Sequence, residues 1–232
     1  MPTPWFKNVR DSHQLSIFPT KSVADGPWNA IFAAAVDAFN KMSGAMQLGV
    51  TFVKTDKPPD PTNMNSGANV QFQAADGEVR ETVLKTKFGD VISEFKETFS
   101  GSAMHGLTVP ATWADDKGAR NQFRAYIYVP VEPLIFAGGA GKLKRRPVGD
   151  GVRLFIAVHE MIHACGLSNE EHSPGAAADV FLGQPQPLEG ATAKDDKLNI
   201  SLSPITNLPA NPPAPPFFLS GRTAGLIRAN WS

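Results

Sequence analysis

A helix that carries two histidines sets the first limit on the fold of this chain. The segment FIAVHEMIHACGLSNEEH, residues 155–172, holds three of the five histidines among 232 residues. Its apolar residues recur at helical spacing, which predicts a helix over about residues 151–165. Gly166 follows where such a helix can end in a left-handed conformation and turn the chain back. The predicted apolar face of this helix consists of Leu154, Phe155, Val158, Met161, Ile162 and Cys165.

The histidines of this helix are spaced as two ligands of one metal ion. His159 and His163 are four residues apart, so both imidazoles point to the same side of the helix. Glu160 lies one step round, where it can touch a water on the ion but is poorly placed to bind the ion itself. This H-E-x-x-H arrangement is typical of two zinc ligands and a general base. The alternative is an ordinary helix with surface or core histidines, and Gly166 and His172 together weigh against it.

The stretch HEMIHACGL resembles the signature of the metzincin zinc metallopeptidases, H-E-x-x-H-x-x-G-x-x-H. His159, Glu160, His163 and Gly166 match that signature position by position. The resemblance implies a Zn²⁺ cofactor and hydrolysis of peptide bonds by a metal-activated water, with Glu160 as the general base. The match is sharp over residues 159–167 and loose over about residues 25–172.

The chain departs from the metzincin signature at the third ligand. The third histidine of the family would fall at Asn169, and the next histidine here is His172. Neutral imidazole is a far better zinc ligand than a carboxamide oxygen, and lengthening the loop costs only about 0.6 kcal/mol. We therefore predict His172 as the third ligand. The family also has a methionine in a turn below the metal, and here Leu208 in ITNLPANPP would take its place. No tyrosine follows Tyr128 to serve as a further ligand or oxyanion donor.

The resemblance also implies the architecture. It predicts an α+β, metzincin-like fold with a mixed twisted sheet, a long early helix, an active-site helix and a loop-rich C-terminal subdomain that ends in a helix. We expect one catalytic domain over residues 1–232, with an upper part at about 20–166 and a lower part at about 167–232. In the family an edge strand binds an extended peptide. Here that strand would lie near Gly106, Leu107, Thr108 and Val109.

Local patterns predict the remaining elements. An amphipathic helix is expected over residues 25–46, with Asp25 as its N-cap and Pro27 in its first turn. Residues 77–100 are interpreted as an insertion or hairpin, in which the first half could be a strand and DVISEFKETF favours a short helix. A terminal helix capped by Ser220 ends the chain. The predicted strands are residues 48–54, 68–73, 106–113 and 122–131, and the predicted loops are residues 137–151, rich in glycine and cations, and 173–217, rich in proline.

Composition narrows the classes of partner. Lys+Arg and Asp+Glu are both 22, so nothing indicates a nucleic-acid partner or an anionic membrane. The longest apolar runs are too short to span a bilayer. No signal peptide is visible, which leaves the compartment open between the cytoplasm and export by a signal-less route. The single cysteine, Cys165, allows no disulfide within the chain, and we expect it in the core.

Rival functions remain at this point. One is a metal-stabilised structural or binding protein of the same fold without turnover. Another is a zinc-dependent hydrolase of a non-protein amide, such as a cell-wall cross-link. The gluzincins, which take a downstream glutamate as third ligand, would need Glu189, but its surroundings do not resemble their helix. His13 and His105 are isolated and are expected to have surface or structural roles.

Overall fold

The structure is a computed structural model that describes residues 2–103, 105–137, 144–168, 171, 217 and 219–232. Within these residues the fold is α+β, with a mixed five-stranded sheet and several helices. The helices are α1 (Lys7–Ser12), α2 (Lys21–Ala24), α3 (Asn29–Met46), α4 (Asp150–Ala164) and α5 (Gly221–Trp231). The strands are β1 (Gln14–Pro19), β2 (Thr51–Lys54), β3 (Val70–Ala75), β4 (Gly77–Lys85), β5 (Val91–Phe99), β6 (Leu107–Ala114), β7 (Arg120–Pro130), β8 (Leu134–Ala137) and β9 (Lys144–Pro147).

The main sheet has the strand order β2-β1-β3-β7-β6. Its first four strands are parallel, and β6 pairs antiparallel with β7. The strand predicted over residues 106–113 is confirmed as β6, which lies at an edge of this sheet. Strand β7 is buried on both faces, as expected of an interior strand in a layered fold.

Helices α3 and α4 cover one face of the sheet. Alternate residues of β7, Ala125, Ile127 and Val129, point into this core. The rings of Phe39 on α3 and Phe52 on β2 meet edge to face at 4.7 Å. The apolar residues at helical spacing in the expected amphipathic helix are buried, namely Trp28 just before α3 and Ile31, Phe32, Ala35, Phe39 and Met42 on it.

A hairpin formed by β4 and β5 covers the opposite face. It packs on Phe123, Tyr126 and Tyr128, and the ring of Phe95 meets Tyr126 edge to face at 5.2 Å. The hairpin interpretation of residues 77–100 is therefore correct, but the short helix expected in its second half is wrong. Strand β5 is rich in β-branched residues and buries few side chains, so cross-strand pairing with β4 decides its conformation.

Two further boundaries differ from the predictions. The long helix begins at Asn29 rather than near Asp25, because Asp25 ends the short helix α2 by donating its N–H to Lys21 O and Val23 O. Trp28 precedes α3 and is anchored by Nε1 to Pro130 O at 2.8 Å. The glycine-rich segment 137–151 is not wholly a loop, since β9 pairs antiparallel with β8. Residues 138–143 lie outside the described residues.

Both ends of the chain meet at the C-terminal end of α4. Trp5 Nε1 donates to Ala164 O at 2.8 Å, and the N–H of Thr3 donates to Gly166 O at 2.8 Å. From α5, Asn230 Nδ2 and Trp231 Nε1 donate to Cys165 O at 2.9 and 3.1 Å. These bonds satisfy carbonyls that a helix end leaves without intrahelical partners. They fix the end of the helix that carries His163.

The terminal helix α5 confirms its predicted cap, since Ser220 Oγ accepts the N–H of Thr223 at 3.1 Å. None of the helices in the described ranges is both long and apolar enough to cross a bilayer. The predicted proline-rich loop, residues 173–217, lies outside the described residues except for residue 217.

Candidate active site on helix α4

Helix α4 presents the two predicted metal ligands side by side. The ring centroids of His159 and His163 are 5.0 Å apart. His159 is half-buried and stacks on Phe155, with centroids 6.1 Å apart. The i, i+4 spacing thus produces the pair of imidazoles that the sequence predicts.

The ring of His163 is oriented by the turn after the helix. Its Nδ1 lies 2.9 Å from the carbonyl oxygen of Leu167. A carbonyl can only accept, so Nδ1 carries the proton and the lone pair of the neutral ring is on Nε2. Gly166 makes this turn possible with a φ of +97°, which confirms the predicted left-handed helix end. Histidines that bind metals are commonly held in this way, by a backbone carbonyl at the other nitrogen.

Glu160 is enclosed between α4 and the edge strand β6. Its side chain is only 3% exposed. Thr108 Oγ1 lies 2.7 Å from Glu160 Oε2 and 3.1 Å from the backbone oxygen of the same residue. The backbone N–H of Gly106 also donates to the carboxylate. Thr108 of the edge strand and Gly106 just before it thus hold the glutamate that lies between the two histidines in sequence.

The surroundings of Glu160 favour its protonated form. Burial raises the pKa of Glu160 to about 7, against the opposing effect of the hydrogen bonds from Thr108 and Gly106. A carboxyl with a pKa near neutrality can both take up and release a proton at physiological pH. This is the property that general acid–base work requires.

Gly106 allows the strand to approach the helix this closely. A methyl group at this position would overlap Glu160 Cγ and would lie 2.8 Å from both Glu160 Cδ and the carbonyl oxygen of Tyr128. Any side chain here would displace the carboxyl group of Glu160 or the strand. Gly106 was predicted only as the start of an edge strand, and its role depends on the register of β6 on β7.

The other predicted residues are placed as follows. Leu107, Thr108 and Val109 lie on the edge strand, and the side chain of Thr108 contacts Glu160. His172, Asn169, Leu208 and Glu189 lie outside the described residues. Among the residues that the structure does describe, no group of three or more His, Cys, Asp or Glu side chains is arranged to hold a metal ion.

The remaining residues predicted for this segment differ in outcome. Cys165 is fully buried, and burial raises the pKa of its thiol, which confirms its expected place in the core. The predicted apolar stripe of α4 is too narrow, because Val152 and Ile156 are also buried. The helix is enclosed by α3, the sheet and both chain termini, which its own periodicity could not reveal. His13 is exposed and bonds to Gly49 O through Nδ1 at 2.8 Å, and His105 is exposed.

One buried polar residue near this site was not predicted. Gln122 at the start of β7 is 1% exposed, and both polar atoms of its side chain lack a hydrogen-bond partner among the described residues. In the sequence it is one more alternating position of a core strand. Nothing in the pattern distinguishes it.

The chain matches none of the models of known protein families, and no curated protein matches it either. The functional argument therefore depends on the residues of the site.

Proposed function

We propose that this protein is a zinc-dependent endopeptidase with a metzincin-like site. In this proposal His159, His163 and His172 hold Zn²⁺, and Glu160 is the general base. The observation that carries it is the pairing on one helix of two adjacent imidazoles with a buried carboxyl group under an edge strand. A purely structural metal site has no use for such a carboxyl.

The donor set fits zinc. Two neutral imidazoles are common zinc ligands, and the hydrogen bond from His163 Nδ1 to Leu167 O leaves Nε2 as the coordinating nitrogen. A catalytic site needs three protein ligands and one open position, so one more ligand is required. His172 is the third ligand in this proposal, because it follows the turn at Gly166 and carries the right chemistry.

Zinc bound there would lower the pKa of a water molecule and polarise the carbonyl of a peptide. Glu160 would accept the proton of that water on its carboxylate and pass it to the nitrogen of the leaving amine. Thr108 and Gly106 would orient the carboxylate while it changes its protonation state. The enclosed position of Glu160 strengthens each of these interactions, because water is largely excluded.

The edge strand would bind the substrate. Strand β6 is hydrogen-bonded to β7 on one side, and in the main sheet no described strand pairs with its other side. An extended peptide can add to such an edge through main-chain hydrogen bonds. Because Thr108 on this strand contacts Glu160, a peptide bound there would pass the proposed base. The proposed substrate is accordingly a protein or peptide in extended conformation.

The test measures the metal content of the purified protein and the cleavage of a peptide library, with and without a chelator. We expect about one zinc per chain, cleavage that the chelator abolishes, and restoration by added Zn²⁺. Bound zinc without cleavage of any peptide would favour the metal-stabilised binding protein instead. Cleavage that persists after complete removal of the metal would contradict the proposal.

The third ligand is tested by two single variants. His172→Ala should lower bound zinc and cleavage together, whereas Asn169→Ala should keep both. The reverse result would move the ligand to the family's usual position.

A further inference from the structure

A small cavity lies beside the proposed metal site. It has a volume of about 180 Å³ and is lined by residues of β6, the start of β7, the end of α4 and the N-terminal segment. Two lining residues, Pro110 and Ser168, are exposed, so the cavity reaches the surface. Its lining residues are Thr3, Thr108, Pro110, Gln122, His163, Gly166, Leu167 and Ser168.

A bulge in the sheet turns Gln122 toward this cavity. Thr108 and Pro110 of β6 pair with Ile127 and Ala125, which point to the helix face of the sheet. Thr112, two residues further on, pairs with Gln122, and the irregularity between Ala111 and Thr112 shifts the register of β7 there. Residues opposite each other share a face, so the side chain of Gln122 lies on the helix face.

In this position, the side-chain amide of Gln122 lacks a hydrogen-bond partner among the described residues, both at its nitrogen and at its oxygen. Neither Nε2 nor Oε1 has a partner in the described part of the chain, and both atoms are fully buried. Its backbone, by contrast, is paired, since its N–H donates to Pro4 O at 2.7 Å and its oxygen accepts from the N–H of Phe6 at 2.8 Å. The backbone thus fixes the residue in the wall of the cavity. Leaving a buried donor and acceptor unmatched costs free energy, which a ligand with the complementary groups can recover.

We propose that this cavity is a substrate subsite that recognises a carboxamide, namely the side chain of Asn or Gln. A carboxamide offers one acceptor and a pair of donors, which complements the two poles of Gln122. Cavities of about 150 Å³ admit a benzene-sized molecule, so an amide side chain fits in the available space. None of the described lining residues is acidic or carries a Lys or Arg cation, which favours a neutral polar group over a charged one.

The cavity is also in the correct place for a substrate side chain. Its wall includes Thr108, whose hydroxyl holds the carboxyl group of Glu160, and His163, a proposed metal ligand. A peptide lying along β6 would therefore place a side chain near the scissile bond in this cavity. The inference thus rests on the proposed peptidase function and defines its substrate class more narrowly.

The first experiment compares peptides that differ at one position at a time on either side of the scissile bond. At one position we expect kcat/KM for Gln or Asn to exceed that for Met or Leu by about tenfold, the scale of one buried hydrogen-bonded pair. The variant Gln122→Met, similar in length and without the amide, should reduce this ratio to about twofold or less. The control Gln14→Leu changes an exposed glutamine far from the cavity and should keep the ratio.

A second experiment separates this inference from the proposed function. It measures the binding of labelled peptides to Glu160→Gln and to the double variant Glu160→Gln/Gln122→Met. The peptides carry Gln or Met at the position selected by the first experiment. If no peptide is cleaved there, each position is tested in turn. We expect about a tenfold tighter Kd for the amide peptide with the first protein and equal Kd values with the second.

If the wild type cleaves nothing, the peptidase proposal fails and this Kd ratio still decides the subsite. If Gln122→Met does not fold, as judged by circular dichroism, Gln122→Leu takes its place, and there too the amide preference should be lost, because leucine has neither a donor nor an acceptor in its side chain. A wild type that cleaves or binds without amide preference, or a Gln122 variant that retains it, would overturn the inference.

Discussion

Two carboxyl groups that are shielded from solvent to different degrees lie on opposite faces of strand β7, Glu160 being buried and Glu81 half-buried. Glu160 on α4 lies on the helix face, and Glu81 on β4 lies on the hairpin face. Burial is the first cause that raises the pKa of each of them. By that property alone, either would be a candidate catalytic group.

Their neighbours separate them. Glu81 Oε1 accepts from Gln71 Nε2 at 2.8 Å, and its charge, after burial, helps to raise the pKa of Tyr128. These partners are interior residues of the sheet and hairpin, and among the described residues no paired imidazoles lie beside them. Glu160 follows His159 on the helix and contacts Thr108 of the edge strand. A carboxyl group with a raised pKa indicates function when the groups around it can take part in a reaction. Otherwise it indicates a structural cluster of hydrogen bonds.

The largest difference between Glu160 and Glu81 is expected in their effect on catalysis. Glu160→Gln should lower kcat/KM for peptide cleavage by on the order of a hundredfold or more, because a carboxamide cannot accept the proton. Zinc content should stay near one per chain, since Glu160 is not a proposed ligand. The matched change Glu81→Gln should leave cleavage within about threefold, the scale of an indirect effect. Cleavage by zinc-loaded Glu160→Gln at the wild-type rate would remove Glu160 from the mechanism.

The sequence predicts much of the helix face and less of the hairpin face. Helices α3 and α4 carry long periodic apolar patterns, and the presence of both helices and most of their buried side chains follow from these patterns. The hairpin is different, because β5 exposes Val91 and Ile92 and acquires its conformation from pairing with β4. The sequence of a short segment with both buried and exposed side chains does not predict which strand it pairs with.

The candidate site also has one part that the sequence predicts and one part that it does not. Spacing along one helix predicts the pair of His159 and His163 and the adjacent Glu160. The close approach of Gly106 and the orientation of Gln122 depend on the register of β6 and on a bulge, which join residues far apart in sequence. Register is set by the packed sheet as a whole, so no local pattern reveals it.

The second prediction concerns pH and the metal-free protein. The folded pKa of Glu160, about 7, is above its ordinary value of 4.5, so folding favours the protonated form. The resulting stability is present below pH 4.5 and is lost as the pH rises through about 7. The loss amounts to about 3 kcal/mol. Urea unfolding of chelator-treated wild type and Glu160→Gln between pH 4.5 and 8 measures it, because the difference between the two proteins isolates Glu160.

The control for this pH effect is Glu81→Gln. Its difference from wild type should have the same sign, because burial also raises the pKa of Glu81, and should be smaller, because Glu81 is only half-buried. A difference between wild type and Glu160→Gln that does not change with pH would contradict the enclosure of Glu160.

A third, smaller effect is expected from a methyl group at Gly106. Gly106→Ala should lower kcat/KM by roughly fivefold to thirtyfold, because overpacking of about 1–2 kcal/mol moves the carboxyl of Glu160 from its position. The matched control is Gly44→Ala on α3, where a methyl group meets nothing within 4 Å. Gly44→Ala should leave cleavage unchanged and slightly raise stability. Unchanged cleavage by folded Gly106→Ala would show that the strand can yield without disturbing Glu160.

The smallest effect is expected at the tip of the hairpin. Phe88 is 84% exposed between β4 and β5, so Phe88→Ser should change the free energy of unfolding by less than about 0.5 kcal/mol. Phe95 on the same hairpin packs on Tyr126 and Tyr128, so Phe95→Ala should cost about 2–4 kcal/mol. Neither variant should change kcat/KM of the folded protein by more than about twofold, since the hairpin lies across the sheet from Glu160. Urea unfolding and peptide cleavage on the same samples test both statements. A large loss of cleavage in folded Phe88→Ser would mean that the hairpin tip contacts the substrate, and the division of roles between the two faces would then be wrong.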